Sequence, residues 1–350
     1  MFEPQTPTPA VFFAGAITAY FILCAVHIFE HKKRTRLQTV LGWCFAFWAV
    51  LNFKDIAIAF PEIYTPKVHN YFILIDGWST VTYIIFIYEL TQPHWTTRWK
   101  VLLLSLPFLV FTVIYSIWIT YTVLNTYVIF LWLCAVSFFT GGIFLSHRYI
   151  KYIHENYSNI DEIDITWMKY VFIFAILEQT TYFIVSLYDN LLVEILYYIS
   201  AFAMWHLAFR YSMALRPIAI VETKVNEPTD APSSYAFAGN IEEMVESKAL
   251  YLNKDLTLAD LVKAVGTNRT YLSDYFSNHK HTTFYDYINV LRIEKKAVPL
   301  IQQHPEYTME FIAAESGFNS LSTFRRAFIK LKGMSPGQFR SEQEWSLATP

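Results

Sequence analysis

Seven stretches in the first 211 residues are each long and apolar enough to cross a bilayer as a helix: roughly 10–30, 37–60, 69–90, 101–120, 124–147, 167–188 and 190–211. About 20 apolar residues are needed to span the hydrocarbon layer as a helix. The runs VLLLSLPFLVFTVIYSIWIT and VIFLWLCAVSFFTGGIFL are the cleanest, whereas Asn52, Lys54 and Asp55 interrupt the outer third of the second stretch. Composition follows from this: the chain is 54% hydrophobic and only 16% charged, where a soluble domain carries about a quarter charged residues. The charge that is missing from the first part is concentrated in the last hundred residues. The expected fold class is all-α, a polytopic transmembrane bundle of about seven spans followed by a soluble helical domain.

Charge on the connecting segments sets an orientation. Lys32, Lys33, Arg34 and Arg36 lie between the first and second stretches, Arg98 and Lys100 between the third and fourth, and Arg148 and Lys151 between the fifth and sixth. Arg210 and Arg216 follow the seventh, while the opposite loops offer Lys54 and Lys67 balanced by Asp55 and Glu62. Basic loops stay in the cytoplasm, so the N-terminus is expected outside and the C-terminus inside, as an odd number of spans also requires. The first stretch does not read as a cleaved leader: it is too long, and its basic cluster follows it.

Ionisable residues within a span are costly and mark function more often than chance. Glu178, at the midpoint of the sixth stretch and followed by Gln179, Thr180 and Thr181, is the foremost candidate for an intramembrane signal site, with Gln179 beside it and Asp76 of the third stretch next. His27, Glu89, Glu194 and His206 lie nearer the ends, where hydration suffices. Cys24, Cys44 and Cys134 sit inside apolar runs without metal-ligand spacing and read as small buried hydrophobes.

Residues 212–240 change character. Pro217, Pro228 and Pro232, among Thr, Ser, Asp and Asn, break any periodicity, and a short helical continuation fits only before Pro217. A flexible tether of about 28 residues reaches about 30 Å. The organisation expected is therefore 1–211 transmembrane, 212–240 linker, 241–340 soluble domain and 341–350 tail.

The soluble part reads as short amphipathic helices separated by turn signals. In TLADLVKAVG, Thr257 caps, Asp260 sits in the first turn, Leu258, Leu261, Val262 and Val265 form a stripe, and Gly266 turns the chain. TNRTYLSDYF follows, with Leu272, Tyr275 and Phe276 facing inward. A longer helix, FYDYINVLRIEKKAVPLIQ, leads to a second copy of the layout: Thr308 as cap, Phe311 and Ile312 inside, Gly317 at the turn, then SLSTFRRAFIKLKG with Phe324 and Phe328 inside. Helix, glycine turn, helix is the helix-turn-helix layout.

The run GFNSLSTFRRAFIKLKGMSPGQFR resembles the signature of the AraC/XylS family of bacterial regulators, and LTLADLVKAVGTNRTYLSDYF with FYDYINVLRIEKKA is similar to that family's first unit and connecting helix. The resemblance implies two groove-entering helices, joined by the long helix, in successive major-groove segments of double-stranded DNA roughly one helical turn apart. It places Asn268, Arg269, Thr270, Tyr271 and Ser273 on the first such helix and Asn319, Ser320, Ser322, Thr323, Arg325 and Arg326 on the second. Arg326 is the expected base reader, since a guanidinium forks onto guanine; Arg325, Lys330 and Ser320 suit phosphate. Two departures stand out. Asp274 occupies a position where relatives often carry a DNA-facing arginine, and Pro299 sits in the connecting helix, where it should end or kink the final turn.

No phosphate-binding glycine loop, metal cluster or nucleophile–base pattern occurs, and His279, His281 and His304 read as surface residues. The expectation is a non-enzymatic regulator in the bacterial inner membrane without cofactor or metal. Its expected partners are DNA, membrane lipid, a small-molecule or membrane-derived signal, and a second copy of the chain as a homodimer. The competing reading is a scaffold or transporter-like membrane protein whose C-terminal domain binds a protein partner.

Overall fold

In a computed structural model of the chain, the described residues are 8–60, 62–187, 190–218 and 238–348; they are helical with no strand among them. They divide into two compact units, Met1–Arg148 with Ile165–Val221, and Tyr149–Asp164 with Glu222–Pro350.

The first unit is built from α1 (Thr8–Glu30), α2 (Arg36–Phe53), α3 (Pro66–Asp76), α4 (Ser79–Thr91), α5 (Arg98–Ile117), most of α6 (Tyr121–Asn156), α7 (Met168–Leu187) and α8 (Leu191–Ala214). Threonine caps begin three of them: Thr35 forms a capping box with Gln38, and the Thr65 and Thr97 hydroxyls accept from the amides of Val68 and Lys100. Among the described residues, six helical stretches are long and apolar enough to cross a membrane: Val11–Glu30, Arg36–Ala57, Pro66–Thr91, Arg98–Ile117, Tyr121–Asn156 and Leu191–Ala214. The remaining expected stretch, 167–188, is occupied by the twenty residues of α7.

In α5 and α6 only 11% of the most apolar window is buried, against 50% in α2. Leu103, Leu133 and Phe144 are each more than 60% exposed. An apolar surface turned outward on this scale is compatible with helices that face lipid. Inside, Trp205 is fully buried against Phe45, Trp48 and Tyr83, with ring centroids 5.5–5.7 Å apart.

Two stretches are not single α-helices. After Phe53 the second tightens into a 3-10 turn, Lys54–Ala59, at the charged residues that interrupt its sequence. The third breaks between Asp76 and Ser79, where the Tyr127 hydroxyl donates to the Leu74 carbonyl at 2.7 Å. A Cβ on Gly77 would lie 1.9 Å from that hydroxyl oxygen, so the close approach of Tyr127 requires glycine. Glu89 is not hydrated at a helix end, as its position suggested. It is 2% exposed, accepts from the amides of His94 and Thr96 at 2.9 Å, and pairs with Arg36 at 3.1 Å, tying down the α4–α5 connection.

The second unit contains α9 (Ala238–Ser247), α10 (Leu258–Val265), α11 (Arg269–Asp274), α12 (Phe284–Arg292), α13 (Val298–Gln303), α14 (Met309–Glu315), α15 (Leu321–Lys332) and α16 (Pro336–Ala348). One core gathers Ile241, Val245, Leu258, Leu261, Leu272, Tyr275, Phe276, Phe284 and Ile288; a second gathers Ile293, Ala297, Ile301, Ile312, Phe318, Phe324 and Phe328. The helix α12 runs through a π turn, Ile293–Ala297, into α13 and so supplies both cores.

Four expectations are corrected here. Of the two outcomes expected at Pro299, an end or a kink, the end does not occur: the Val298 amide bonds five residues back to Ile293, and through this widened turn the helix passes the proline and continues to Gln303. Phe311 is 45% exposed and packs on Tyr307 instead of entering the core. The last helix passes residue 340 and runs to Ala348. Finally, Tyr149–Asp164, read from sequence as part of the first region, belongs to the second unit. Of the proposed linker, 219–237 lies outside the described residues, while α8 does continue a short way, to Ala214.

Candidate nucleic-acid interface

Each half of the second unit is a capped helix, a left-handed glycine turn and a second capped helix. Thr257 accepts from the Asp260 amide at 3.2 Å while the Asp260 carboxylate accepts from the Thr257 amide at 3.0 Å, and Gly266 (φ +73°) ends α10. Asn268 then caps α11, its side-chain oxygen accepting from the Tyr271 amide at 2.9 Å. In the second half Thr308 caps α14 through the Phe311 amide at 3.2 Å, Gly317 (φ +84°) turns the chain, and Ser320 caps α15 through the Thr323 amide at 3.1 Å. Both turns need positive φ, which glycine adopts without Cβ strain.

The residues nominated from sequence thus fall on two matching helices, with different tasks. The Asn268 and Ser320 side chains are engaged as caps, which fixes the first turns of their helices. Thr270, Asn319, Ser322, Arg325 and Arg326 are exposed; Arg269, Tyr271 and Ser273 are half-buried. Thr323 is 3% exposed and lies inside. Lys330 pairs with Asp286 at 2.7 Å, linking α15 to the start of α12. Asp274 accepts from the Asn278 side chain at 2.6 Å.

The sequence reading missed a set of residues that meet these helices. Tyr149–Asp164 joins the end of α6 to the residues before α7 and lies against both halves of the unit. The Ser158 amide donates to the Leu256 carbonyl at 3.1 Å, Tyr157 bridges antiparallel to Thr257, and Ile153, Ile160 and Ile163 are buried. Arg292, 1% exposed, fastens this strap: it donates to the Ser158 carbonyl (2.8 Å) and hydroxyl (3.0 Å), and to the carbonyls of Tyr251 (2.7 Å) and Asn253 (2.9 Å). Burial pushes the Arg292 guanidinium down to about 10, still cationic at neutral pH, with carbonyl and hydroxyl oxygens as its acceptors. From this anchor the strap reaches α11 and α15. Arg269 donates to the Asn156 side chain and lies 5.6 Å above the Tyr152 ring; the Thr323 hydroxyl donates to Asp161, and Arg326 stands 3.7 Å from the same carboxylate. Two signals for this were in the sequence: a charge between the apolar Leu291 and Ile293, and isoleucines at 160, 163 and 165 in a short polar connection.

In the first unit, Glu178, Gln179 and Asp76 do come together, lining a small cavity of ≈ 30 Å³ with Trp48, Tyr83 and Tyr182. Glu178 is buried and accepts from the Tyr83 hydroxyl at 2.8 Å. Asp76 pairs with Lys54 at 2.7 Å, and Lys54 also meets Asp55. Asp55 and Asp76, with Tyr64, His69, Glu194 and Tyr198, line a neighbouring cavity of ≈ 80 Å³. Lys54 and Asp55 are therefore not loop charges, as the charge count along the chain had treated them. They belong to a buried ionic group, because a charge that enters the apolar interior needs a partner there. No group of three or more His, Cys, Asp or Glu suited to a metal occurs among the described residues.

Residues 261–342 match the family model described as a helix-turn-helix domain. The chain is 27% identical over 103 residues to an uncharacterized HTH-type transcriptional regulator of Staphylococcus aureus, a match covering 29% of this chain and 14% of that one. It is 24% identical over 110 residues to the Msm operon regulatory protein of Streptococcus mutans, covering 31% of this chain and 38% of that one. The chain thus spans about a seventh of the length of the staphylococcal relatives. No solved structure matches it.

Proposed function

We propose that this chain is a membrane-anchored one-component transcription regulator, in which seven spans hold a cytoplasmic double helix-turn-helix domain and a signal received in the membrane region controls sequence-specific DNA binding. The observation that carries the reading is the repeated unit at the C-terminus: two capped helices, each behind a left-handed glycine turn and each bearing arginine, within a stretch that matches helix-turn-helix regulators. Arg326 reads a base, Arg325 and Lys330 hold phosphate, and Arg269 with Thr270 and Ser273 serves the first half-site. Two copies side by side bring four such helices to one operator and multiply affinity through effective concentration. The polar cluster of Glu178, Gln179 and Asp76 is the signal site, responding to a small-molecule or membrane-derived signal.

The test is duplex binding by the full chain in detergent. Sequences are selected from a random pool, and the best is titrated at increasing salt. Affinity should fall log-linearly with salt, by close to one power for each phosphate neutralised. Arg326→Ala should cost about 1–3 kcal/mol on the selected duplex and flatten preference at one base position. A chain that ignores duplex DNA at low salt, or a C-terminal tag accessible only from outside the cell, refutes the proposal.

A further inference from the structure

We infer that the strap Tyr149–Asp164 is an intramolecular competitor of DNA, so that the second unit is held with both groove-facing helices partly occupied until the strap is displaced. This rests on the DNA-binding reading above. The argument starts from which groups the strap touches. Arg269 on α11 and Arg326 on α15 belong to separate helix-turn-helix copies, yet both are engaged by side chains of one short segment, Asn156 and Asp161. The groups offered are of the two kinds that nucleic acid offers to arginine: a neutral carbonyl-type oxygen, as base edges carry, and an anionic oxygen, as phosphates carry. Asp161 also takes the Thr323 hydroxyl, at the first turn of α15 where the chain would approach the backbone of a duplex. A phosphate brought to the same end of α15 would meet the Asp161 charge and compete for the same donors.

The strap is held by more than these contacts. Arg292 grips Ser158 by both carbonyl and hydroxyl, and the buried Ile160 and Ile163 fix its course. The masking groups are therefore presented from a defined backbone. The strap is also covalently bounded by α6 and α7, two apolar helices of the bundle. A change in the separation or rotation of those helix ends pulls directly on the residues that occupy Arg269 and Arg326. That supplies a route from membrane to reader that does not pass through the 212–240 linker. The bias needed is modest, because Arg326 keeps 61% of its side chain exposed and its pairing at 3.7 Å is weak. The device tunes affinity and does not abolish it.

The experiment uses the full chain in detergent and a mixed-sequence duplex at low salt. Asp161→Asn should tighten binding about twofold to fivefold, the upper part of the range expected for losing one partly exposed pair. Glu162→Gln removes the same charge from the adjacent exposed position and should change binding less than twofold, which separates masking from a general charge effect. Hydrogen exchange reads the displacement directly: saturating duplex should speed exchange of the Ser158 amide, which donates to Leu256 in the free protein. If Asp161→Asn leaves affinity unchanged or matches Glu162→Gln, or if the strap amides stay as protected with duplex as without, the inference fails alone. If the unaltered chain does not bind duplex at all, the proposed function fails and takes this inference with it.

Discussion

Arg292→Met is expected to destabilise the second unit by about 3–5 kcal/mol, the cost of breaking a buried, hydrogen-bonded charge. The methionine fills much of the space but donates nothing. The buried Tyr251 and Ser158 carbonyls and the Ser158 hydroxyl then lose a donor, as does the carbonyl of the exposed Asn253; each buried acceptor left without a partner costs on the order of 1–3 kcal/mol. Arg292→Lys should recover little, because one ammonium carries three donors on a single atom and cannot reach the Tyr251 turn and the Ser158 strap together. The sign with pH is fixed by burial. The folded-state value of about 10 lies below that of free arginine, so the cation is present and the bonds are intact throughout the neutral range. The readout is hydrogen exchange of the full chain, followed on peptides of the second unit. Protection should collapse in both helix-turn-helix halves and in 157–164, while the first unit is unchanged. Loss confined to the strap would mean that Arg292 serves only the strap and does not hold the two halves together.

How much of this was legible in the sequence depends on the distance over which each feature is encoded. The apolar stretches and the helix-turn-helix pattern are local: about 20 apolar residues in a row, or Thr257 three residues before Asp260 and nine before Gly266, specify their own helix and ends. Those elements are helical where expected, apart from the 3-10 turn at Lys54–Ala59 and the break between Asp76 and Ser79. Features set by residues far apart were not visible. Lys54 and Asp55 read as loop charges because Asp76, the partner that makes their burial tolerable, is on a different helix. Phe311 read as core because its spacing fits, but Ile312 and Phe318 already fill that core. Pro299 read as ending or kinking the final turn, and that the helix continues past it through a π turn has no sequence signature. The strap is the clearest case. Its residues 156–164 are polar enough to pass for a connection, and only the distant Arg292, Leu256 and Thr323 give them a place. For the candidate interface, motif resemblance named both arginines but could not show that each already has an intramolecular partner.

Gly317→Ala is the second large effect, expected at about 2–4 kcal/mol, and it tests whether the 250–253 turn joins the two halves. Gly317 has φ +84°, where any Cβ costs about 1–2 kcal/mol by its clash with the following carbonyl. Unlike the other glycine turns, it also has no room. A Cβ there would lie 2.9 Å from the Leu252 carbonyl oxygen and 3.0 Å from both Leu252 Cα and the Tyr251 carbonyl oxygen. These are backbone atoms, and they cannot yield cheaply because Arg292 holds the Tyr251 carbonyl at 2.7 Å. Gly266 and Gly333 have the same handedness, φ +73° and +75°, but nothing within 4 Å of the added atom. Alanine at either should therefore cost only the backbone share, about 1–2 kcal/mol. Denaturant titration of the full chain, read by exchange in the second unit, ranks the three. Because Gly317 and Arg292 act on the same turn, the double variant Arg292→Met/Gly317→Ala should lose less than the sum of the singles by at least about 0.5 kcal/mol. Equal losses at Gly317 and Gly266, or strict additivity in the double variant, would show that the turn does not carry load between the halves.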